Sequence, residues 1–247
     1  MNGLQNGFKK RRKDNIMKKK AVDFYTAVFC KGENGMGYPI MLNVANQSVL
    51  VVGGGKVAER KIYGLLEAKA KITVVAPTIT TGIEQLVADK KLIWRQKTFS
   101  PDDMKEAWIV IAATNNRAVN EAVAKAAKPY QLINIADDPE RSNFHVPAVV
   151  RRGRLTIAIS TGGASPTIAR QIRRRLEELY DDDYGRYIDF LYECRQWILR
   201  HVRDEQKRKA LFKAIADESF CKRGNWEEEF EQLLENAMKE EIRRKEE

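Results

Sequence analysis

The segment VVGGGKVAER (51–60) contains the residues of this 247-residue sequence that are best suited to hold a phosphate-bearing ligand. Gly53, Gly55 and Ala58 match the pattern G-x-G-x-x-A directly after an apolar strand pattern and at the opening of a helical one. Glycine permits a tight turn and lets the backbone approach a pyrophosphate, and the positive helix end supplies N–H donors. The alternative is a purely structural glycine-rich turn. Because strand, turn, helix and next strand follow in the required order, the motif predicts dinucleotide binding.

A usual companion of this motif is missing from the end of the second strand pattern. An acidic residue about 20 residues beyond the glycines normally binds the ribose hydroxyls. The sequence at that place reads Val75-Ala76-Pro77-Thr78, with neither an acid nor an arginine for a 2′-phosphate. Ribose recognition is therefore expected from backbone groups or from the Thr78 hydroxyl, and residue chemistry does not choose between NAD and NADP.

Two polar residues, Thr114 and Asn115, follow the strand pattern AWIVIAA. Open α/β sheets bind their ligands at the carboxyl ends of the strands, so this pair is a candidate for cofactor binding. The alternative is helix capping, with Asn115 or Asn116 as the N-cap of the helix that follows. The two roles are compatible, and the residues leave both open.

The segment NIADDPERSNFHVP (134–147) follows a further strand pattern. Asn134, Asp137 and Asp138 are expected to face the same crevice, where a carboxylate can act as a general base. The alternative for Asp-Asp-Pro is an ordinary turn that Pro139 stiffens. His145 is one of only two histidines, and a lone histidine in a strand pattern favours a structural role.

The segment ISTGGASPTIARQIRRRLEE (159–178) combines a polar loop with a basic helix. Ser165 followed by Pro166 is typical of a helix start. Ser160 and Thr161 lie in the loop that leads into this helix, which makes them candidates for an anion-binding nest. Arg170, Arg173 and Arg174 lie at i, i+3 and i+4 and therefore share one face of the helix. This face is either a solvated basic surface or a binding surface for a polycarboxylate.

Strand and helix patterns alternate from Gln47 to about residue 136, which indicates parallel β-α-β units. The strand patterns are SVLVVGG (48–54), KITVVAP (71–77), LIWR (92–95), AWIVIAAT (107–114) and LINIA (132–136), and the helical ones cover 57–70, 83–90 and 117–128. The predicted fold class is α/β, with a Rossmann-like parallel sheet.

A different pattern begins after Pro139. FHVPAVV (144–150) and LTIAIS (155–160) predict two β segments around the turn RRGR, and charged helices are expected at 166–180, about 184–202, about 204–217 and 225–246. Because the β segments alternate apolar residues outside the parallel sheet, a second subunit is expected to cover them. The predicted domains are a basic extension (1–37), an NAD-binding Rossmann-like domain (38–147), a dimerisation segment (148–180) and a C-terminal helical domain (181–247).

Charge, hydropathy and cysteine content exclude several classes of protein. The net charge is +10, but the first 20 residues carry +7 of it, so a nucleic-acid partner is not expected. No apolar run approaches the about 18 residues of a membrane helix, and no secretory leader pattern is present, so no membrane partner is expected. Three widely spaced cysteines without C-x-x-C disfavour disulfides and a cysteine-based metal site, and they favour the cytoplasm.

Four segments together resemble the precorrin-2 dehydrogenase family, the dehydrogenase and chelatase part of siroheme synthase. They are VLVVGGGKVAERK, IVIAATNN, NIADDPE with NFHVPA, and ISTGGASPTIAR, and the similarity runs from residue 38 to about 180, more weakly to about 220. The resemblance implies a homodimer that uses NAD to oxidise precorrin-2 to sirohydrochlorin on the route to siroheme. Some members also insert ferrous iron. The basic extension and the methyltransferase domain of trifunctional members lie outside the resemblance, so methylation is not expected.

The resemblance also implies roles for single residues. It places cofactor contacts on Lys56 and Val57 in the glycine turn and on Pro77 and Thr78 after the second strand. It places the catalytic aspartate on Asp137, the fourth residue of N-x-x-D. Precorrin-2 carries several carboxylates, and the groups suited to bind them are Arg151, Arg152, Arg154 and Arg170, with Ser160 and Thr161 in the loop.

The residues alone leave two other functions to consider. A non-enzymatic NAD-binding regulatory module would have the glycine turn but would not need a carboxylate in the crevice. An unrelated dehydrogenase of the short-chain type would show a Tyr-x-x-x-Lys pair on a helix, which this sequence lacks. No metal ligand set is expected.

Overall fold

The structure, a computed structural model, describes residues 37–136 and 138–246. The predicted basic extension (1–37), except for its last residue, and the predicted catalytic residue Asp137 lie outside the described residues. The chain divides after Val146 into two compact units, Met1–Val146 and Pro147–Glu247.

The first unit contains a five-stranded parallel sheet in the order β3-β2-β1-β4-β5, which confirms the predicted α/β class. Because β1 pairs with both β2 and β4, the strand order reverses between β1 and β4, and open sheets of this type bind ligands at such a point. The strands are β1 (Ser48–Val52), β2 (Lys71–Val75), β3 (Ile93–Arg95), β4 (Ile109–Ala112) and β5 (Leu132–Ile135). The helices are α1 (Lys56–Glu67), α2 (Thr81–Ala88) and α3 (Arg117–Ala126), with 3₁₀ turns at Pro101–Met104 and Pro139–Arg141.

Both faces of this sheet are covered, which explains why its strands read as continuous apolar runs. Val49 and Val51 of β1 face the core that contains Ile62 of α1, whereas Leu50 and Val52 face the core that contains Val123 of α3. All of these side chains are buried. Burying each one contributes about 1.5–3 kcal/mol, so the two cores fix the strands that carry the glycine turn.

The outer edge of β5 is completed by side chains rather than by a sixth strand. Ile133 N donates to Asn143 Oδ1 (2.7 Å), and Asn143 N donates back to the Ile133 carbonyl (3.0 Å). Ile135 N donates to Ser142 Oγ (2.9 Å). These bonds satisfy backbone groups of an edge strand and hold the segment after β5 against the sheet.

The second unit begins with an antiparallel hairpin of β6 (Ala148–Arg152) and β7 (Leu155–Ile159). The prediction of a strand from residue 144 was wrong by four residues. Asn143 and Phe144 are already bonded to β5, and Pro147 has no N–H to donate to a ladder.

Helices form the rest of the second unit. They are α4 (Pro166–Leu179), α5 (Asp182–His201), α6 (Glu205–Ile215), α7 (Glu218–Arg223) and α8 (Trp226–Glu246). The single helix predicted at about 204–217 ends at Ile215 and is followed by α7, which the sequence analysis did not predict. Asp217 caps α7 by accepting from Ser219 N (2.9 Å), and Gly224 ends it with a φ of 79°. An aspartate starts the short helix and a left-handed glycine stops it.

A buried aromatic and aliphatic cluster holds these helices together. It includes Tyr187, Cys194 and Ile198 of α5 and Phe220 and Phe230 from later helices. Burial raises the pKa of the Cys194 thiol to about 12, so this cysteine is protonated and unreactive at neutral pH. Among the residues that the structure describes, no helix is both long and apolar enough to cross a bilayer.

Candidate nucleotide-binding site

The three consecutive glycines between β1 and α1 differ in the space around them. Gly53 has a φ of 118°, and a Cβ there would lie 2.4 Å from the Ala113 carbonyl oxygen. A Cβ on Gly54 would lie 2.1 Å from the Thr78 carbonyl oxygen. Nothing lies within 4 Å of the position that a Cβ would take on Gly55. The first two glycines are therefore needed by the fold, and the third leaves open space for a ligand to approach the backbone.

Helix α1 starts at this open space. Gly55 is its N-cap in an extended conformation, and no side chain caps the first turn. The first backbone N–H groups of a helix have no intrahelical acceptor, and the helix dipole adds positive potential there. Lys56 and Val57, which the resemblance implied as cofactor contacts, are the first two residues of α1 and are both exposed. An anionic group such as a pyrophosphate fits this helix end.

The loop after β2 is held against the glycine turn. Thr80 N donates to the Gly54 carbonyl (3.0 Å), which places the predicted contacts Pro77 and Thr78 beside the turn. From the other side, Trp94 Nε1 donates to the Ala76 carbonyl (2.9 Å), and Gln96 Nε2 donates to the Pro77 carbonyl (3.3 Å). The loop is thus fixed before any ligand binds, and its own side chains include no acid.

Thr114 and Asn115 differ in their roles. A Cβ on Gly53 would lie 3.2 Å from Thr114 Cγ2, so Thr114 stands at the glycine turn. Its hydroxyl donates to Asn120 Oδ1 (2.8 Å) and accepts from Asn116 N (3.1 Å). Asn116 caps α3, which resolves the two predicted N-cap candidates in its favour. Asn115 is exposed at the end of the sheet, where a ligand can reach it.

The end of β5 departs from the prediction at Asn134. This residue was expected to face the crevice, but it lies within β5 and is buried. Its Nδ2 donates to the Phe144 carbonyl (3.0 Å), and its Oδ1 accepts from Lys61 Nζ (2.9 Å). Asn134 therefore ties α1, β5 and the following segment together. The prediction was wrong because Asn134 lies inside β5, one residue before its end. Side chains within a strand point to a face of the sheet and not past its edge.

Lys61 is a residue that sequence reasoning missed. It occupies a polar position in the amphipathic pattern of α1, which predicts a solvent-facing side chain, yet the ammonium is half-buried. Burial lowers the pKa of Lys61, and the nearby charge of Arg60 lowers it further. Asn134 lies 73 residues away in the sequence, so no local signal predicts this contact.

Asp138 serves the turn after β5. Its Oδ1 accepts from Arg141 N (3.2 Å), which caps the 3₁₀ turn, and its Oδ2 pairs with Arg141 Nε (3.4 Å). Arg141 also pairs with Glu121 of α3 (3.2 Å), and this hydrogen bond lowers the pKa of the Glu121 carboxyl. Asp138 and the two paired residues line a small polar cavity beside the end of β5, together with Arg117.

The predicted substrate groups all lie in the second unit. Arg154 pairs with Asp189 (3.4 Å), and its guanidinium carbon lies 3.5 Å from the centre of the Tyr192 ring, so it fastens the hairpin to α5. Arg151 and Arg170 are exposed, and Arg170 donates to a hydroxyl one turn earlier in α4.

The loop before α4 has the geometry that the sequence predicted for a helix start. Ser165 caps α4 by accepting from Ile168 N (3.2 Å). The Ser160 hydroxyl accepts from Gly162 N (3.2 Å), and the Thr161 hydroxyl accepts from Ser165 N (3.1 Å). The two candidate hydroxyls therefore order the loop, and each retains its own O–H for a ligand.

The two histidines of the chain have different surroundings. His145 is exposed in the segment after β5, and His201 stacks on Trp197 with ring centroids 4.3 Å apart. Among the side chains that the structure describes, no group of three from His, Cys, Asp or Glu is placed to hold a metal ion.

Comparisons with known proteins cover both units. A family model described as NAD(P)-binding matches residues 40–148, a sirohaem biosynthesis protein central model matches 152–179, and a SirC C-terminal domain model matches 184–225. A precorrin-2 dehydrogenase of Priestia megaterium is 40% identical over 183 residues, which cover 74% of this chain and 91% of that protein. One from Bacillus subtilis is 33% identical over 158 residues, which cover 64% of this chain and 98% of that protein.

Further matches extend to siroheme synthases and to a solved structure. A siroheme synthase of Xylella fastidiosa is 42% identical over 177 residues, but the match covers only 37% of that longer protein. The structure of SirC, a precorrin-2 dehydrogenase, superimposes with a TM-score of 0.73 at 38% identity, covering 81% of this chain and all of that one. With these identities and coverages, the chain belongs to the precorrin-2 dehydrogenase family.

Proposed function

We propose that this protein is an NAD-dependent dehydrogenase that oxidises precorrin-2 to sirohydrochlorin in siroheme biosynthesis. The observation that carries the proposal is the open glycine turn at Gly55, in a chain that covers 91% of a 40% identical precorrin-2 dehydrogenase. The reaction removes a hydride and a proton from the substrate, and it yields NADH and sirohydrochlorin. Because aromatisation drives this oxidation, the protein chiefly has to position the reactants and accept one proton.

The first unit supplies the groups that would hold the cofactor. The backbone at Gly53 and Gly55 and the first turn of α1, at Lys56 and Val57, suit the pyrophosphate. Pro77 and Thr78 suit the adenosine ribose. Thr114 and Asn115 suit the half of the dinucleotide that faces β4. NAD, when bound, supplies the hydride acceptor. The choice of NAD over NADP follows the resemblance to the precorrin-2 dehydrogenase family, because the loop after β2 carries neither the acid nor the arginine that would decide it.

We further propose Asp137 as the base that takes the proton. The resemblance to the family assigns the base to Asp137, and the neighbouring carboxylate, Asp138, is engaged by Arg141 and by the turn. An ionised aspartate is a competent proton acceptor near neutral pH.

Arginines of the second unit are proposed to bind the substrate carboxylates. Arg151 and Arg170 are exposed and cationic, and Ser160 and Thr161 lie in the loop that starts α4. Arg154 contributes positive charge while it remains paired with Asp189. Arginine suits carboxylates because its planar fork can donate two parallel hydrogen bonds.

Turnover of precorrin-2 by the purified protein tests this function directly. With NAD, the sirohydrochlorin absorbance is expected to grow in step with NADH. Binding of NAD without turnover would instead identify a regulatory module. Adding ferrous or cobaltous ion to the product then shows whether the protein also inserts metal.

We propose a homodimer that works in the cytoplasm, with the segment 148–180 at the interface. Helix α4 carries three exposed apolar residues on one stripe: Ile168 is 50% exposed, Ile172 is 36% exposed and Leu179 is 66% exposed. An apolar stripe of this kind on a monomer is typical of a surface that a second copy covers.

The dimer prediction can be checked by sedimentation at micromolar concentration. The wild-type chain is expected to sediment as a dimer, and Ile168→Glu with Ile172→Glu is expected to sediment as a monomer because two charges would be buried unpaired. Arg174→Glu, at an exposed position about 140° around the same helix from the stripe, is the matched control and should stay dimeric. A wild-type monomer would contradict the proposal.

The basic extension is predicted to be dispensable. The family-like sequence begins near Tyr38, and residues 1–36 contribute most of the net charge. Deleting residues 1–36 should leave turnover and dimerisation unchanged within about twofold, since no residue that the proposal uses lies there. A large loss of soluble dimer or of turnover would show that the extension has a structural role.

A further inference from the structure

A carboxylate from α1 is inserted beside the loop where the ribose is expected. Glu59 lies in the first turn of α1, and its side chain is 14% exposed. It accepts a hydrogen bond from the Thr80 hydroxyl and pairs with Lys56 Nζ at 3.0 Å. A Cβ on Gly82 would lie 2.4 Å from Glu59 Oε1, so a side chain at that position would displace the carboxylate from this place.

The bonds that Glu59 makes keep it ionised. The hydrogen bond from Thr80 lowers the pKa of the Glu59 carboxyl, and the hydrogen bond and charge of Lys56 lower it further. A full negative charge is therefore present at this place at neutral pH. The cation that pairs with it is Lys56, whereas Arg95 of strand β3 pairs with Asp103 at 3.5 Å.

The position of this charge matters because of the fold. Sheets of this type bind the ribose hydroxyls at the end of β2, usually through an acidic side chain located there. In this chain β2 ends at Val75 and is followed by Ala76, and the loop is fixed to the glycine turn by the hydrogen bond from Thr80 N to the Gly54 carbonyl. Glu59 contacts that same loop at Thr80, two residues beyond Thr78.

We propose that Glu59 determines the preference for NAD over NADP. It acts in two ways: its charge repels a 2′-phosphate at the loop after β2, and it occupies Lys56, the cation of α1 that pairs with it at 3.0 Å. The acid that this fold normally supplies from the end of β2 is thus supplied from α1. This inference rests on the proposed function, because it assumes that a dinucleotide binds at the glycine turn.

A purely structural role for Glu59, as a cap for α2, makes a different prediction. Glutamine at position 59 can still accept the hydrogen bond from Thr80, so it preserves the contact to the loop while it removes the charge. A capping role predicts no change in cofactor preference on Glu59→Gln, whereas the proposal predicts tighter NADP binding.

Calorimetric titration of the full-length protein with NAD and with NADP tests the proposal. The wild type is expected to bind NAD more tightly. In Glu59→Gln, NADP affinity should rise about tenfold relative to NAD affinity, as expected for removing one charge at a partly solvated site and releasing another of opposite sign. Glu84→Gln removes a charge from the first turn of α2 and is the matched control, whose NAD to NADP ratio should stay at the wild-type value.

Two further variants isolate the part of Lys56. Adding Lys56→Met to Glu59→Gln should cancel most of the gain in NADP affinity, because the released cation is then missing. Lys56→Met alone leaves the Glu59 charge uncompensated and should weaken NADP binding further, so it serves as the test if Glu59→Gln does not fold.

An unchanged ratio of NAD to NADP affinity in folded Glu59→Gln, or a wild type that prefers NADP, would overturn the proposal. A wild type that binds neither dinucleotide would overturn the proposed function and this inference with it.

Discussion

Replacing Asp137 with alanine is expected to reduce turnover of precorrin-2 by about 10²–10⁴-fold, the range typical of a positioned general base. The substrate loses a hydride to NAD and a proton to the protein, and only the second step uses Asp137. NAD affinity and the melting temperature should therefore remain close to wild type. Steady-state rates with NAD and precorrin-2, measured beside calorimetric NAD affinity, separate these effects.

Asp138→Ala is the matched control for this prediction. Asp138 caps the 3₁₀ turn and pairs with Arg141, so its loss should cost stability of about 0.5–2 kcal/mol and much less turnover. Asp137→Asn keeps the size of the side chain without its basicity and should be as inactive as the alanine variant. If the protein also inserts metal, both activities should fall together. Near-normal turnover by Asp137→Ala would rule out the assignment.

Replacing Gly55 with valine is expected to abolish most NAD binding while the protein stays folded. The backbone at Gly55 has φ −85° and ψ −177°, a conformation open to any residue, and nothing lies within 4 Å of the added Cβ. The valine side chain would fill the space that a pyrophosphate needs. Hydrogen bonds to a charged acceptor contribute about 1.5–3 kcal/mol each, so losing one or two should weaken NAD binding by about two orders of magnitude.

Gly54→Ala is the contrasting variant. Its Cβ would lie 2.1 Å from the Thr78 carbonyl oxygen, which is backbone, so the loop after β2 would have to move. Overpacking of this kind costs about 1–3 kcal/mol, which should appear as a lower melting temperature even without NAD. Calorimetry and thermal melting of both variants test the distinction. Unchanged NAD affinity in folded Gly55→Val would remove the glycine turn as the cofactor site.

The sequence by itself was sufficient for the features that depend on local pattern. Continuous apolar runs predicted the buried parallel strands, and Ser165 with Pro166 predicted the start of α4, because both depend on residues adjacent in the chain. Gly53 and Gly55 stood out for the same reason, since the motif has a fixed spacing. The resemblance of four ordered segments to one family carried the assignment further than any single motif.

Contacts between distant segments were decided by the tertiary structure. The motif treats Gly54 as a free position, but the Thr78 carbonyl requires glycine there. Lys61 reaches Asn134 across 73 residues, and Glu59 of α1 contacts Thr80 before α2. Hydropathy periodicity shows only whether a side chain faces the core or the solvent. The partner that a polar side chain finds depends on how the helices pack on the sheet, which only the folded chain determines.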